Sequence, residues 1–311
     1  MSIFKGLGSL IGDFLVDSPV TFAGKTTLLV SVLCRLIMQP NADDTGCIMV
    51  CAPTNKAISL LCSRFLDVIE SKNSPVNVVL VGDDDKLLGD GKSDPEASRL
   101  RPIFLYTWIN TVLEDYKRIR KFLTSKRGRD WDTMRALATN LYSRLRNQVS
   151  SLPKFERDSA KKIALGMNAA KADRDESRRE IINAIDRLQN EIHTWKNDSI
   201  WNQLIDSAQV VFCTLASAGT HVLKRSSISV SDLIVDEAAA ATEPELYIPF
   251  QFSPKRLLAV GDPKQLPSTV LSRRAVQLGL SKSLHERLMY DCNKEYVMLT
   301  VQYRMKPAIS Q

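Results

Sequence analysis

The sequence predicts an α/β fold built on a parallel sheet. Short runs of apolar, largely β-branched residues recur along the chain, and helical patterns lie between them. Runs that are apolar on both faces are typical of strands buried inside a parallel sheet. A hydrophobic content of 44% in 311 residues is enough to bury a substantial core. The alternation of strand and helix favours a doubly wound arrangement.

Five runs are predicted to be strands. They are Gly46–Cys51, Val76–Val81, Gln209–Cys213, Asp232–Val235 and Leu257–Val260. Helical patterns cover Lys25–Met38 and Asn55–Ile69. From about Lys86 to Gln203 the strand signals stop, so we expect a helical insertion there.

Two apolar stripes within this insertion predict an antiparallel helical hairpin, with residues 150–153 between its two helices. The first stripe is Trp131, Met134, Ala138, Leu141 and Leu145. The second stripe is Ile181, Ile185, Leu188, Ile192 and Trp195.

The insertion also carries the chain's excess of positive charge. Residues 91–205 hold 23 basic and 15 acidic residues, a net charge of +8 within a chain of net charge +7. The densest basic cluster is Lys117, Arg118, Arg120, Lys121, Lys126, Arg127 and Arg129, interleaved with Tyr116, Phe122 and Trp131. Such a region can attract a nucleic-acid strand. The alternative is a set of solvated helix faces whose aromatic residues point into the hairpin core.

Several classes of protein are disfavoured. The longest apolar run, Thr27–Met38, is interrupted by Ser31 and Arg35 and is shorter than the roughly 20 residues of a membrane span. Six cysteines are too few to form a disulfide framework in a chain of this length. Cys47 and Cys51 have no second cysteine pair with which to complete a metal site. We therefore expect an intracellular protein, nuclear or cytoplasmic, with no membrane partner.

The segment Gly24-Lys25-Thr26-Thr27 opens a predicted helix in the manner of a phosphate-binding loop. In such loops the lysine contacts phosphate oxygens and the first hydroxyl holds Mg²⁺. The loop's first glycine would fall on Pro19, which has no N–H to offer.

Two further segments follow predicted strands. Asp236 and Glu237 come directly after an apolar strand, where one carboxylate can hold Mg²⁺ and the other can polarise a water molecule. Alternatively, both acids are solvated and cap the next helix. Gln265, in the turn that starts at Gly261, can reach a γ-phosphate, unless this is an ordinary Gly-Asp-Pro turn.

These segments stand in a fixed order with three others: Cys51-Ala52-Pro53-Thr54-Asn55-Lys56-Ala57, Phe212-Cys213-Thr214-Leu215-Ala216-Ser217-Ala218-Gly219 and Val301-Gln302-Tyr303-Arg304-Met305. From about Phe14 to its last residue, the chain resembles a superfamily 1B helicase of the nonsense-mediated-decay-helicase and senataxin-like group. The resemblance implies a RecA-like P-loop NTPase domain with a stalk-like insert. It divides the chain into domain 1A (1–85 and 204–290), the insert (86–203) and the start of a second RecA-like domain (291–311).

The resemblance also implies cofactors and roles. ATP and Mg²⁺ would be the cofactors, and single-stranded RNA or DNA the partner. Nucleotide-binding positions would be Gly24, Lys25, Thr26, Thr27, Asp236, Gln265, Tyr303 and Arg304. Mg²⁺ would be held by Thr26 and Asp236, with Glu237 as catalytic base and Gln265 and Arg304 as γ-phosphate contacts. The nucleic-acid backbone would meet Pro53, Thr54, Asn55 and Thr214.

The chain departs from the family pattern at Pro19, Ala240, Ser268 and Lys306. We also expect a truncated protein, because the later motifs of the second domain do not occur. Two hypotheses remain: an ATP-dependent helicase fragment, or an inactive helicase-like scaffold that binds nucleic acid or a protein through its insert. An unrelated kinase or GTPase is disfavoured, since the guanine-reading Asn-Lys-x-Asp is lacking.

Overall fold

The computed structural model describes residues 24–38, 46–72, 76–83, 87, 95–125, 131–148, 154–169, 175–194, 197–265, 267–294 and 296–299. The described residues divide into two compact units. The first draws on residues 1–90, 209–220 and 228–311, and the second on residues 91–208 and 221–227.

The first unit is built on a five-stranded parallel sheet. Its strands are β1 (Cys47–Ala52), β2 (Val78–Val81), β3 (Val210–Thr214), β4 (Val230–Val235) and β5 (Arg256–Ala259). They are ordered β2-β3-β1-β4-β5, and every neighbouring pair is parallel. The first four strands are buried along their whole length. The predicted α/β class and all five predicted strands are confirmed, each to within two residues.

Strand β4 begins two residues before its predicted start and includes a buried carboxylate. Asp232 accepts two hydrogen bonds from the guanidinium of Arg256, the first residue of β5, with 2.8 Å between Nη2 and Oδ2. Ser231 Oγ donates a third bond to Asp232 at 2.8 Å. A buried charge is tolerated when it is paired and hydrogen-bonded, so this acid fits inside an apolar strand.

Helices and short helical turns surround the sheet of the first unit. The α-helices are α1 (Lys25–Met38) and α2 (Asn55–Ser71), then, later in the chain, Leu215–Ala218, Glu243–Tyr247, Arg273–Gln277 and Leu284–Tyr290. Two 3-10 helices cover Ala238–Ala240 and Ile248–Phe252. Helix α2 begins where the Thr54 hydroxyl accepts a hydrogen bond from the Ala57 amide, as N-cap residues do. Its buried face includes Phe65, whose ring lies 5.6 Å from that of Phe212 on β3.

The second unit is helical in its described residues. Its α-helices are α3 (Pro95–Leu100), α4 (Trp108–Thr124), α5 (Trp131–Gln148), α6 (Lys154–Ala169), α7 (Asp175–Thr194), α8 (Asn197–Asp206) and, after β3, a short one at His221–Arg225. A 3-10 helix covers Arg101–Ile103.

The predicted hairpin is wrong in its number of helices. Helices α4, α5, α6 and α7 form a bundle in which each packs against two others. Helix α6 was not predicted as a separate helix. Its buried stripe is Ala160, Ile163, Ala164 and Met167. Gly166 permits close packing there, because a Cβ at this position would lie 2.9 Å from the Ile181 side chain of α7.

Apart from Trp131, which is half-buried, the described residues of both predicted stripes lie in the core of the bundle. Met134, Ala138, Leu141 and Leu145 on α5 are buried, as are Ile181, Ile185, Leu188 and Ile192 on α7. Tyr116 is fully buried, and the rings of Phe122 and Trp131 lie 5.5 Å apart.

The aromatic residues of the basic cluster therefore serve packing, while Lys117, Arg118, Arg120 and Lys121 are exposed on α4. Trp195, Lys126, Arg127 and Arg129 lie outside the described residues. Within the described part of the chain, no helix is long and apolar enough to cross a membrane.

Candidate functional site

The carboxyl ends of the parallel strands bring the predicted site segments to one edge of the sheet. Pro53 follows β1, Thr214 ends β3, Asp236 follows β4, and the turn at Gly261 comes shortly after β5. Ala52 pairs in register with Thr214, and Cys51 pairs with both Cys213 and Val235. In open parallel sheets this edge is where ligands bind.

Lys25, the lysine of the predicted phosphate loop, contacts Glu237, the predicted catalytic base. Lys25 Nζ donates a hydrogen bond to Glu237 Oε2 at 3.0 Å, although the two residues are 212 positions apart in sequence. Both side chains are partly exposed, at 25% and 39%. Gly24, just before Lys25, has a φ of +84°, which favours glycine. Thr26 and Thr27 lie in the first turn of α1.

Asp236 and Glu237 occupy different environments. Asp236 is 5% exposed, and its Oδ1 accepts a hydrogen bond from the Glu237 amide at 2.9 Å. Burial raises the pKa of the Asp236 carboxyl, and the neighbouring Glu237 raises it further. Glu237 has a φ of +51°, an uncommon conformation for a residue with a side chain. Although it stands at the N-cap of Ala238–Ala240, its side chain makes no capping bond, which argues against the capping alternative.

The turn after β5 is packed tightly against the segment that follows Glu237. A Cβ on Gly261 would lie 2.7 Å from the Ala239 amide nitrogen, so only glycine fits there without a shift. Asp262 organises the turn: its Oδ1 accepts from the Lys264 amide at 3.0 Å, and its Oδ2 accepts from Gln265 Nε2 at 3.1 Å. Gln265, the predicted γ-phosphate contact, is exposed, and its side-chain amide is hydrogen-bonded to Asp262.

A cleft of about 570 Å³ opens at this edge of the sheet. Its lining includes four predicted site residues, Pro53, Thr54, Glu237 and Gln265. The other lining residues are Ala239, Ala240, Asp262, Lys264 and Pro267. Ala240, which departs from the family pattern, therefore contributes only a methyl group to the wall.

Two predicted nucleic-acid contacts use their hydroxyls as helix caps. Thr54 caps α2, and Thr214 Oγ1 accepts from the Ser217 amide at 3.1 Å while donating to Ser217 Oγ at 2.8 Å. Thr214 is 6% exposed. Asn55 is the first residue of α2, next to the cleft-lining Thr54.

Tyr303 and Arg304 lie outside the described residues, as do Pro19 and Lys306. No group of three or more histidine, cysteine or acidic side chains able to hold a metal occurs in the described ranges. Cys47 and Cys51, the disfavoured metal pair, are buried in β1.

His285, on the helix Leu284–Tyr290, was not among the predicted site residues. This helix packs against Ala238–Ala240, the turn that follows Glu237. Burial lowers the pKa of the imidazole, the charge of Lys25 lowers it further, and Asp262 raises it. No local signal points to this position, because its nearness to Lys25 arises from the tertiary fold.

Comparisons with known proteins agree with this geometry. A family profile described as "AAA domain" matches residues 14–273. Helicase sen1 of Schizosaccharomyces pombe is 41% identical over 107 residues, covering 34% of this chain and 6% of that protein. Helicase SEN1 of Saccharomyces cerevisiae is 27% identical over 287 residues, covering 85% of this chain and 12% of that protein. The ATP-dependent helicase NAM7 of the same yeast is 38% identical over 109 residues, covering 35% and 11%.

The chain spans between 6% and 12% of the length of these three relatives. The family profile, in contrast, covers most of the chain, including every described site segment from Gly24 to Gln265. The chain therefore belongs to the AAA domain family, and within it to the superfamily 1B helicases of the group that contains the SEN1 and NAM7 proteins.

Proposed function

We propose that this chain binds and hydrolyses ATP as the first RecA-like part of an RNA or DNA helicase. The observation that carries the proposal is the 3.0 Å contact between Lys25 and Glu237. It joins the phosphate-binding end of α1 to the acidic end of β4. A cation that can bind phosphate and a carboxylate that can activate water therefore lie at the same edge of the sheet. Phosphoryl transfer to water requires both groups close together.

The donor set fits Mg²⁺. The Thr26 hydroxyl and the Asp236 carboxylate are the hard oxygen ligands that Mg²⁺ prefers. Burial raises the pKa of Asp236, and a cation beside it would lower it again. When bound, Mg²⁺ would neutralise charge on the phosphates.

The protein's own residues would then act as follows. Incoming phosphate competes with Glu237 for Lys25, so nucleotide binding releases the Glu237 carboxylate. The freed carboxylate accepts a proton from the attacking water, as a general base does. Gln265 leaves Asp262 to contact the γ-phosphate.

A nucleic-acid strand would cross the same sheet edge. Pro53, Thr54, Asn55 and Thr214 would contact its backbone, and Lys264 adds a positive charge to the cleft wall. The family partition into domain 1A, an insert at 86–203 and a second domain from 291 is part of this proposal. So are translocation by the longer protein and a nuclear or cytoplasmic location.

Replacing the catalytic base tests the proposal. Glu237→Gln should lower ATP hydrolysis by about 100-fold or more, because general-base catalysis contributes on that order. Binding of a fluorescent ATP analogue with Mg²⁺ should persist, since the change frees Lys25. Glu245→Gln is the matched control, because glutamine can also serve in the capping box with Thr242. Undiminished turnover in Glu237→Gln would refute the assignment.

A second candidate is an inactive scaffold that binds nucleic acid or protein through the helical unit. Ala240 in the cleft wall and Pro19 in the loop sequence favour it. If the chain shows no saturable binding of the ATP analogue up to millimolar concentration, the scaffold stands and the ATPase proposal fails.

A further inference from the structure

His285 lies outside every motif that defines the family resemblance, yet its helix packs against Ala238–Ala240, the turn that follows the site residue Glu237. Its charge environment is set by Lys25, at the start of α1, and Asp262, in the turn after β5. Both of these residues belong to the site described above. The third element against its helix, Ala238–Ala240, carries no titratable group, and Glu237 precedes it.

The helix that carries His285 is anchored at its N-terminus and at its middle. Ser283 is 1% exposed, and its hydroxyl caps the helix by accepting from the Glu286 amide at 3.1 Å. Arg287 donates two hydrogen bonds to the Glu243 carboxylate, at 2.6 and 2.8 Å. A side chain on such an anchored element has a defined position, as a ligand-binding residue needs.

The imidazole of His285 is incompletely satisfied. Among the described residues its Nδ1 is buried and has no hydrogen-bond partner. Buried polar atoms of this kind are uncommon, and each calls for an explanation such as a bound ligand or water.

We propose that His285 is a further nucleotide-binding residue, whose imidazole hydrogen-bonds the phosphates held by Lys25. The inference rests on the proposed function. Phosphate brings negative charge next to Lys25 and cancels the repulsion that Lys25 exerts on a protonated imidazole. The lowered pKa favours the neutral imidazole in the free protein, and nucleotide binding favours uptake of a proton.

The proposal predicts a dependence on pH with a definite sign. Nucleotide binding raises the pKa of His285 from its lowered value, so the bound state holds more protons around pH 6 to 7. Affinity should consequently increase as pH falls from about 8 to about 6. Glu286 and Arg287, on the same helix as His285, also carry charge. The hydrogen bond from Arg287 to the Glu243 carboxylate offsets the effect of the Arg287 charge on the imidazole.

The test compares variants of the full chain by titration with a fluorescent ATP analogue and Mg²⁺. His285→Phe keeps the ring but removes both nitrogens, and should weaken binding about five- to tenfold at pH 6.5, typical of losing one charge-assisted hydrogen bond. His285→Asn retains a polar atom near Nδ1, and His285→Gln one near Nε2. One of the two should restore most of the affinity. His221→Gln, an exposed histidine of the other unit, is the control and should leave affinity unchanged.

Comparing pH profiles separates the protein's titration from that of the nucleotide itself. The wild-type affinity should rise more steeply toward pH 6 than that of His285→Phe. Calorimetry of the wild-type chain in two buffers should show net proton uptake, which needs no variant to fold. Equal affinities and parallel profiles for wild type and His285→Phe would overturn the assignment of His285 alone. Failure of the wild-type chain to bind nucleotide would overturn the proposed function together with it.

Discussion

The two units differ in where they keep their polar groups. In the α/β unit, lysine, carboxylate and amide groups converge on one sheet edge, and one of them, Asp236, is buried. In the helical unit, Arg118, Arg120 and their basic neighbours lie spread over an exposed helix face, and the described core is almost wholly apolar. Net charge is thus a poor guide to a site. Convergence and burial favour a reaction site, whereas charge spread over an exposed helix face favours attraction of a polyanion.

The largest expected effect comes from placing a charge in the helical core. Ile185→Asp buries an unpaired carboxylate in the bundle and should destabilise the helical unit by about 4 kcal/mol or more. Thermal unfolding followed by circular dichroism measures the change. Asn183→Asp adds the same charge at an exposed position of the same helix and should shift stability by less than about 0.5 kcal/mol.

The same variant sharpens the comparison between the units. If convergence at the sheet edge suffices for nucleotide binding, Ile185→Asp should keep its affinity for the ATP analogue at temperatures below its unfolding transition. A parallel loss of affinity and helix content would show that the α/β unit depends on the bundle.

An intermediate effect concerns the exposed charge of α4. Replacing Lys117 and Lys121 together by alanine should weaken binding of a single-stranded oligonucleotide about three- to tenfold. It should also reduce the slope of log affinity against log salt by about 1.4, if each contacts one phosphate. The matched control removes Lys161 and Lys162, exposed on α6. Equal losses from both pairs would mean general attraction without a preferred face.

The smallest effect is a gain in stability. The raised pKa of Asp236 means that folding disfavours its ionised form, so this carboxylate lowers stability at neutral pH and ceases to do so when protonated at low pH. Asp236→Asn keeps an oxygen for the Glu237 amide and should stabilise the fold by about 0.5–1 kcal/mol at pH 7. Denaturant unfolding at pH 7 and pH 4 provides the measurement. A stability loss at pH 7 would show that the ionised carboxylate makes a net favourable contribution.

The sheet was the most predictable part of the molecule, because buried parallel strands such as β1 are continuous apolar runs. The helix α6 was missed although Ala160, Ile163, Ala164 and Met167 follow a helical period. Two of these four are alanines, which give a weak hydrophobic signal, and a glycine such as Gly166 is typical of the end of a helix. Its use becomes evident only beside Ile181.

At the site, residue identity was predictable but arrangement was not. The order of the motifs pointed to Lys25 and Glu237, while their direct bond depends on how α1 meets β4. The hydroxyl of Thr214 is engaged in a cap, and His285 approaches Lys25 from 260 positions away in sequence. Contacts of this range are set by the tertiary fold and leave no local pattern.

The order of strands also dictates a sequence of events during synthesis. Strand β1 lies between β3 and β4, and both are encoded after the helical bundle. While the ribosome adds residues 95–208, β1 has no neighbour, and its apolar faces and unpaired edges are open to aggregation. Three of the four helix pairs in the bundle, α4–α5, α5–α6 and α6–α7, are consecutive in sequence, so the bundle can form early. Early folding of this insertion would make the chain between β2 and β3 compact, so that β3 and β4 can pair with β1 as soon as they are synthesised.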